Sequence, residues 1–293
     1  YIYYFKDEFD TQVKIQNYFD ALLADETKLK AAGLTKEQAK NLCNGLIYLH
    51  CEVLFVRDQR SSDMLHPRIS IYQSHSFNEL YDDQKQVLMR IYNDYFFRRH
   101  TDFWRESAMR KLPTLINATH MLCCGEDLGM VPACVPDVMH RLQILSLEIQ
   151  RMPKDPNVAF AHPANAPYLS VCTTGTHDMN PLRAWWEEDR AVTQRFYNEQ
   201  MGWQGEAPRE MTPEIAEFII NQHMYSPAMW VILPLQEWLA IDGKIRIPDQ
   251  HADRINVPAD PHHFWNYRMH ITLEELLQKD EYNAHVRRLT AVR

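Results

Sequence analysis

The sequence predicts an α/β fold, the C-terminal half of a (β/α)8 barrel, preceded by a mostly helical region. Three observations predict this fold. Short apolar runs recur from about residue 120 onward, helical patterns alternate with them, and residues 1–95 are mostly helical in pattern. Strands that alternate with helices indicate a parallel sheet with crossover helices. We expect two regions, residues 1–95 and residues 96–293.

The predicted strands are short apolar runs. They cover residues 121–125, 144–149, 167–174 and 230–235. Four strand–helix units make half of an eight-stranded barrel, and a complete barrel takes about 250 residues. We therefore expect the upstream half of the same barrel to lie outside this chain.

Helices are predicted before, between and after these strands. They cover residues 102–117, 137–142, 181–200, 212–222 and 272–278, and a further short helix is predicted after residues 230–235. Thr212 before Pro213 is typical of a helix start, because the threonine side chain caps a free N–H group and proline fits the first turn. In the first region, residues 77–98 are amphipathic with helical spacing. Residues 46–56 fit a helix or a strand equally well.

Composition and charge argue against several classes of protein. The chain has 31 basic and 39 acidic residues and a net charge of −8, whereas a nucleic-acid partner would require a basic surface. No run approaches the ~18 apolar residues of a membrane span, and no signal peptide is visible. The six cysteines form no CxxC pair, and no HExxH motif occurs. We therefore expect no metal site, no membrane partner, and reduced thiols in a cytoplasmic protein.

Acidic residues follow two of the predicted strands. Glu126 and Asp127 come after residues 121–125, and His177 and Asp178 come shortly after residues 167–174. Catalytic groups of such barrels project from the C-terminal ends of the strands. A glutamate that leaves an apolar strand is desolvated, which disfavours its ionised form and suits a general acid. The alternative is that these carboxylates cap the helices that follow.

Two motifs resemble a known family. CysGlyGluAspLeuGlyMetValPro (124–132) and GlyThrHisAspMetAsnProLeuArgAlaTrpTrp (175–186) closely resemble the glycoside hydrolase family 77 enzymes, the 4-alpha-glucanotransferases. The resemblance implies that Glu126 is the general acid/base, that Asp178 stabilises the transition state, and that His177 contacts the sugar. It further implies a glycosidase-type barrel, a retaining double displacement, and α-1,4-glucan substrates such as maltose, maltooligosaccharides and glycogen-like acceptors. No cofactor is implied.

Further segments resemble the plant-type cytosolic subgroup of that family and its bacterial relatives. They cover residues 66–71, 103–113, 150–153 and 255–270. That subgroup has a long insertion between the nucleophile and the acid/base glutamate. The resemblance implies that residues 1–95 are the later, helical part of this insertion.

The sequence departs from the family at the nucleophile. The family uses an aspartate in an Arg-x-Asp-His motif, and no such motif occurs here. We therefore expect the nucleophile upstream of Tyr1 and an inactive isolated chain. The alternative function is a non-catalytic module that binds α-glucans or a partner chain, which the missing nucleophile and the aromatic-rich N-terminal third favour.

Three more residues are candidate sugar contacts. Asn165 lies in the loop before residues 167–174, Arg151 follows residues 144–149, and Trp265 lies in the last loop before the closing helix. Two of them have a structural alternative: a turn for Asn165 and an ion pair for Arg151.

Overall fold

A computed structural model describes residues 5–61 and 63–293 of the chain. Its contacts divide the chain into one unit that ends at His100 and a second unit, Thr101–Arg293. The predicted boundary at residues 95 and 96, and the interpretation of the first region as an insertion, stay predictions.

The first unit begins with three helices around a small apolar core. They are α1 (Gln12–Ala24), α2 (Glu26–Ala31) and α3 (Lys36–Cys51). The buried residues are Ile15, Phe19, Leu22, Leu29, Ala39 and Cys43. Each helix begins where a Thr or Asp side chain accepts a hydrogen bond from the first turn. The ambiguous run 46–56 is therefore mostly helix, since α3 continues to Cys51.

The rest of the first unit combines a short hairpin with helices. β1 (Phe55–Arg57) pairs antiparallel with β2 (Leu65–Pro67). The helices are α4 (His75–Asn78), α5 (Asp82–Asn93) and a π-helical segment, Asp94–Arg99. The predicted amphipathic segment 77–98 is helical from α5 onward. Its apolar stripe is only partly buried, because Leu88 is 7% exposed whereas Val87 is 47% exposed.

A parallel sheet organises the second unit. β3 (Ser146–Ile149), β4 (Ser170–Thr173) and β5 (Trp230–Val231) pair in the order β3-β4-β5. The prediction of a parallel sheet is confirmed, and the predicted half-barrel stays a prediction.

The first predicted strand is not a full strand. Residues 121–125 contribute one parallel bridge, between Cys124 and Leu145. Gly125 donates its N–H to Leu145 O at 2.8 Å, and Leu145 donates to Cys123 O at 2.9 Å. This segment therefore runs beside β3 and leads directly into the Glu126–Asp127 pair.

The helices of the second unit differ from the prediction in two places. They are α6 (His100–Asn117), α7 (Val135–Arg141), α8 (Leu182–Glu188), α9 (Arg190–Glu199), α10 (Pro213–Met224), α11 (Leu235–Ala240), α12 (Leu273–Leu277) and α13 (Asp280–Thr290). The single helix predicted over 181–200 is two helices, and α13 is additional. No α-helix connects β3 to β4, and none was predicted there. That connection contains only a 3-10 turn, Pro163–Asn165.

An apolar core fixes the starts of the helices that follow β4 and β5. The most buried members are Leu182, Trp186, Phe196, Ile215, Ile219, Ile220 and Leu239. Trp186 also donates its indole N–H to Pro208 O at 2.9 Å, so its role is packing. Because α8 and α11 are held in this core, the loops that enter them are held as well.

None of the helices in residues 5–61 and 63–293 combines the length and the apolar character that crossing a bilayer requires.

Candidate active site

The segment that follows Cys124 shows why a glycine precedes the two carboxylates. A Cβ on Gly125 would lie 2.9 Å from Cε of Met139 and 3.2 Å from Cγ2 of Ile144. Glycine therefore lets the backbone pack closely against these side chains before the chain turns outward. The turn places Glu126 and Asp127 in different environments.

Glu126 is exposed and lines a cavity. Its carboxylate accepts a hydrogen bond from the backbone N–H of Leu128 at 2.7 Å, which closes a local turn. The expectation that an apolar wall buries Glu126 is wrong for the described residues, because the side chain points away from the strand and into the open cavity. A carboxylate in this position can reach a bound ligand.

Asp127 is a buried structural carboxylate. It is 6% exposed, accepts the N–H of Leu147 at 3.0 Å, and pairs with Lys154 Nζ at 2.7 Å. Lys154 also contacts Glu148 Oε1 at 2.6 Å. Asp127 therefore ties its own segment to β3 and to Lys154, and it leaves Glu126 as the carboxylate that faces the cavity.

The loop between β4 and α8 carries His177 and Asp178. Asn256 donates its side-chain N–H to Asp178 Oδ1 at 2.6 Å, and His177 Nε2 lies 3.4 Å from the same oxygen. The ring of Trp265 is 4.9 Å from the His177 ring, centroid to centroid. The N-cap of α8 is Pro181, so the alternative that Asp178 caps this helix is wrong. Both side chains are about half exposed.

One cavity brings several of these groups together. It has a volume of about 490 Å³, and Glu126, Arg151, His177 and Glu237 line it. Leu147, Val171 and Thr173 form the wall of this cavity on the side of the sheet. These three side chains alternate along β3 and β4, so the cavity lies on one face of the sheet near its carboxyl edge.

Asn165 lies elsewhere. It ends the 3-10 turn before β4 and lines a second cavity, of about 500 Å³, with Glu148 and Cys172. Glu148 and Cys172 are the sequence neighbours of Leu147 and Val171, and successive side chains of a strand point to opposite faces. The structure therefore does not bring Asn165 together with Glu126 and His177.

Arg151 reaches the first cavity, and its guanidinium binds backbone. Its Nε donates to Thr174 O and its Nη1 donates to Asn180 O, both at 2.8 Å. The guanidinium also lies 5.1 Å from the centroid of the Trp185 ring, a cation–π distance. Burial lowers the pKa of Arg151, and the negative charge of Glu237 opposes that change.

Glu237 is the site residue that the sequence did not reveal. It is 1% exposed, lines the cavity, and accepts the N–H of Leu182 on both carboxylate oxygens, at 3.1 and 3.2 Å. Burial raises the pKa of Glu237 to about 7, and the positive charge of Arg151 limits the rise. The sequence could have indicated Glu237 through its position shortly after β5, because side chains that follow the strands of a parallel sheet gather at one edge of that sheet.

The described residues contain no group of three or more His, Cys, Asp or Glu side chains that could hold a metal ion.

A parallel sheet with a carboxylate-lined cavity beyond its strand ends defines an α/β protein of the kind that binds ligands at that edge. The chain belongs to glycoside hydrolase family 77, because the family model described as 4-alpha-glucanotransferase matches residues 37–273. The resemblance of the two motifs to this family is confirmed.

The chain is similar to 4-alpha-glucanotransferases of a plant and of bacteria. The chain is 39% identical to the 4-alpha-glucanotransferase DPE2 of Oryza sativa subsp. japonica over 287 residues, 98% of this chain and 30% of that protein. It is 28% identical to the 4-alpha-glucanotransferase of Chlamydia caviae over 182 residues, 60% of this chain and 33% of that protein. The chain thus spans about a third of the length of these relatives. A solved amylomaltase from Streptococcus agalactiae in complex with acarbose is 16% identical, with a TM-score of 0.44, over 58% of this chain and 31% of that chain.

Proposed function

We propose that the protein that contains this chain is a 4-alpha-glucanotransferase. It transfers α-1,4-glucosyl units from maltose or maltooligosaccharides to glucan acceptors such as glycogen. The observation that supports this function is the shared cavity, in which the exposed carboxylate of Glu126 lies with His177 beyond the strand ends. Membership of the family supports the same reaction.

The mechanism is a retaining double displacement. Glu126 protonates the leaving glycosidic oxygen while a carboxylate nucleophile attacks the anomeric carbon and forms a glycosyl-enzyme. A sugar hydroxyl of the acceptor then attacks this intermediate, and Glu126 takes its proton. Because Glu126 faces the cavity, it can serve in both steps without a change in the fold.

Asp178 and His177 act on the same sugar. Asp178 accepts hydrogen bonds from sugar hydroxyls, and these bonds strengthen as the ring gains positive charge in the transition state. Asn256 holds one oxygen of Asp178, which orients the other. His177 and Trp265 contact the sugar together, since their rings already touch. Asn165 would contact glucan only at the second cavity.

The nucleophile comes from outside this chain. No Arg-x-Asp-His segment occurs in the 293 residues, and the chain spans about a third of its relatives. The upstream half of the barrel supplies this aspartate, and the isolated chain therefore does not transfer glucose.

The test is glucose release from maltose in the presence of glycogen. We expect Glu126→Gln in the complete protein to lower transfer by about 10²- to 10⁴-fold, the usual contribution of a general acid/base. The matched control is Glu199→Gln, an exposed glutamate on α9 that pairs with Arg195. We expect that variant to keep wild-type transfer.

Two results would contradict the proposal. One is wild-type transfer by the Glu126→Gln variant, which would remove its catalytic role. The other is a complete protein that retains glucans in a binding assay and releases no glucose, which would support the binding module instead.

A further inference from the structure

The loop that carries His177 and Asp178 wraps around one arginine. Arg151 projects from the end of β3, a different strand from the one that leads into the loop. It donates one hydrogen bond to Thr174 O, where the loop begins, and one to Asn180 O, where it ends. One planar guanidinium therefore spans the two ends of the segment that holds the proposed catalytic aspartate.

Gly175 adapts the loop to this arginine. A Cβ at position 175 would overlap Nη2 of Arg151, so a side chain there would displace the guanidinium from its present position. The indole of Trp185 lies 5.1 Å from the same group. Arg151 is thus fixed by backbone and by an aromatic ring, and none of these contacts requires a sugar.

Glu237 fixes the far end of the same loop. Both of its oxygens accept the N–H of Leu182, the first residue of α8. Glu237 comes from α11, which follows β5. Arg151, shortly after β3, and Glu237, on α11, therefore hold the loop that follows β4 at its two ends.

We propose that Arg151 is a positioning residue that sets the conformation of the Thr174–Leu182 loop, with Glu237 bracing its second end, and that Arg151 is not a sugar ligand. This inference rests on the proposed function only for the role of Asp178. A loop shift of about 1 Å is sufficient to lower turnover about 100-fold, because catalytic hydrogen bonds depend on orientation.

The test combines hydrogen exchange without substrate and steady-state kinetics on the complete protein. We expect Arg151→Gln to speed amide exchange in peptides that cover residues 174–182 and to lower kcat about 100-fold with little change in KM. Arg151→Lys keeps the charge but cannot bind both carbonyls as a fork, so we expect an intermediate effect on both measurements. This variant also provides the comparison if Arg151→Gln folds poorly.

Arg190 provides the matched control. It is a half-buried arginine that also donates to two backbone carbonyls, Pro208 O at 2.8 Å and Ala207 O at 2.6 Å. It does not line the cavity of Glu126. We expect Arg190→Gln to leave exchange in residues 174–182 and kcat unchanged.

Two outcomes would overturn the inference. Unchanged exchange with a raised KM would make Arg151 a sugar ligand. Faster exchange throughout the second unit, equal in the Arg151 and Arg190 variants, would make its role one of general stability. The hydrogen-exchange measurement does not require the protein to be active. If the wild-type protein transferred no glucose, the proposed function would be contradicted. The exchange result would still decide whether Arg151 positions the loop.

Discussion

Glu237 is a carboxyl group whose burial opposes its ionisation. It is 1% exposed, and its pKa is raised to about 7 by burial, although the charge of Arg151 limits the rise. An exposed glutamate in the unfolded chain ionises with a pKa near 4.3. As pH rises from about 4.5 to 7, the unfolded chain releases the proton of this carboxyl group while the folded chain keeps it. The free energy of unfolding therefore falls over this range of pH.

The raised pKa of Glu237 predicts how the stability of the protein changes with pH. Glu237→Gln keeps an acceptor for the Leu182 N–H and removes the ionisation. We expect it to raise the free energy of unfolding by about 3 kcal/mol at pH 8 and to leave it nearly unchanged at pH 4. Chemical unfolding at both pH values checks this, with Glu199→Gln as the exposed control. An equal effect of Glu237→Gln at the two pH values would contradict it.

The site residues were predictable in part, for physical reasons. Glu126 and Asp178 follow apolar runs, so the sequence could place them at one edge of a sheet. The different environments of Glu126 and Asp127 depend on Lys154 and Leu147, which are distant in sequence. The burial of Glu237 was not predictable, since an isolated glutamate is normally exposed and its partner is a backbone N–H of another loop.

At the scale of elements, Asp189 separates two helices where one was predicted. Its backbone is extended, with φ −143°, and its carboxylate accepts the N–H groups of Ala191 and Val192 at the start of α9. We expect Asp189→Ala to lower the free energy of unfolding by about 1 kcal/mol, the usual contribution of an N-cap. Asp189→Asn keeps the acceptor and should lose much less. Chemical unfolding of the pair checks this, and equal losses would mean that the cap contributes nothing.

The other elements divide into those that local sequence determines and those that it does not. β3 and β4 lie within the strands predicted over 144–149 and 167–174, and the parallel sheet was predicted from their alternation with helices. β5 is shorter than predicted because Pro234 cannot donate to a ladder, and α11 begins directly after it. Residues 121–125 pair through one bridge only, since pairing depends on a neighbouring segment and is not a property of the run itself.

At the scale of the whole molecule, we propose that the catalytic groups are shared between this chain and residues outside it. Glu126 and Asp178 lie in the second unit, and the nucleophile is proposed to come from the upstream half of the barrel. Retaining chemistry requires the acid/base and the nucleophile to be about 5–5.5 Å apart. In the described residues, the carboxylate of Glu126 lines the cavity and is open to it.

The most direct measurement compares two donors with the Glu126→Gln variant of the complete protein. A maltosyl fluoride has a leaving group that needs no protonation, whereas maltose needs an acid. We predict that the variant forms a glycosyl-enzyme from the fluoride, visible as a mass increase of the protein, and that it barely uses maltose. Wild-type use of maltose, or equal loss of reaction with both donors, would contradict the assignment of Glu126 as the general acid/base.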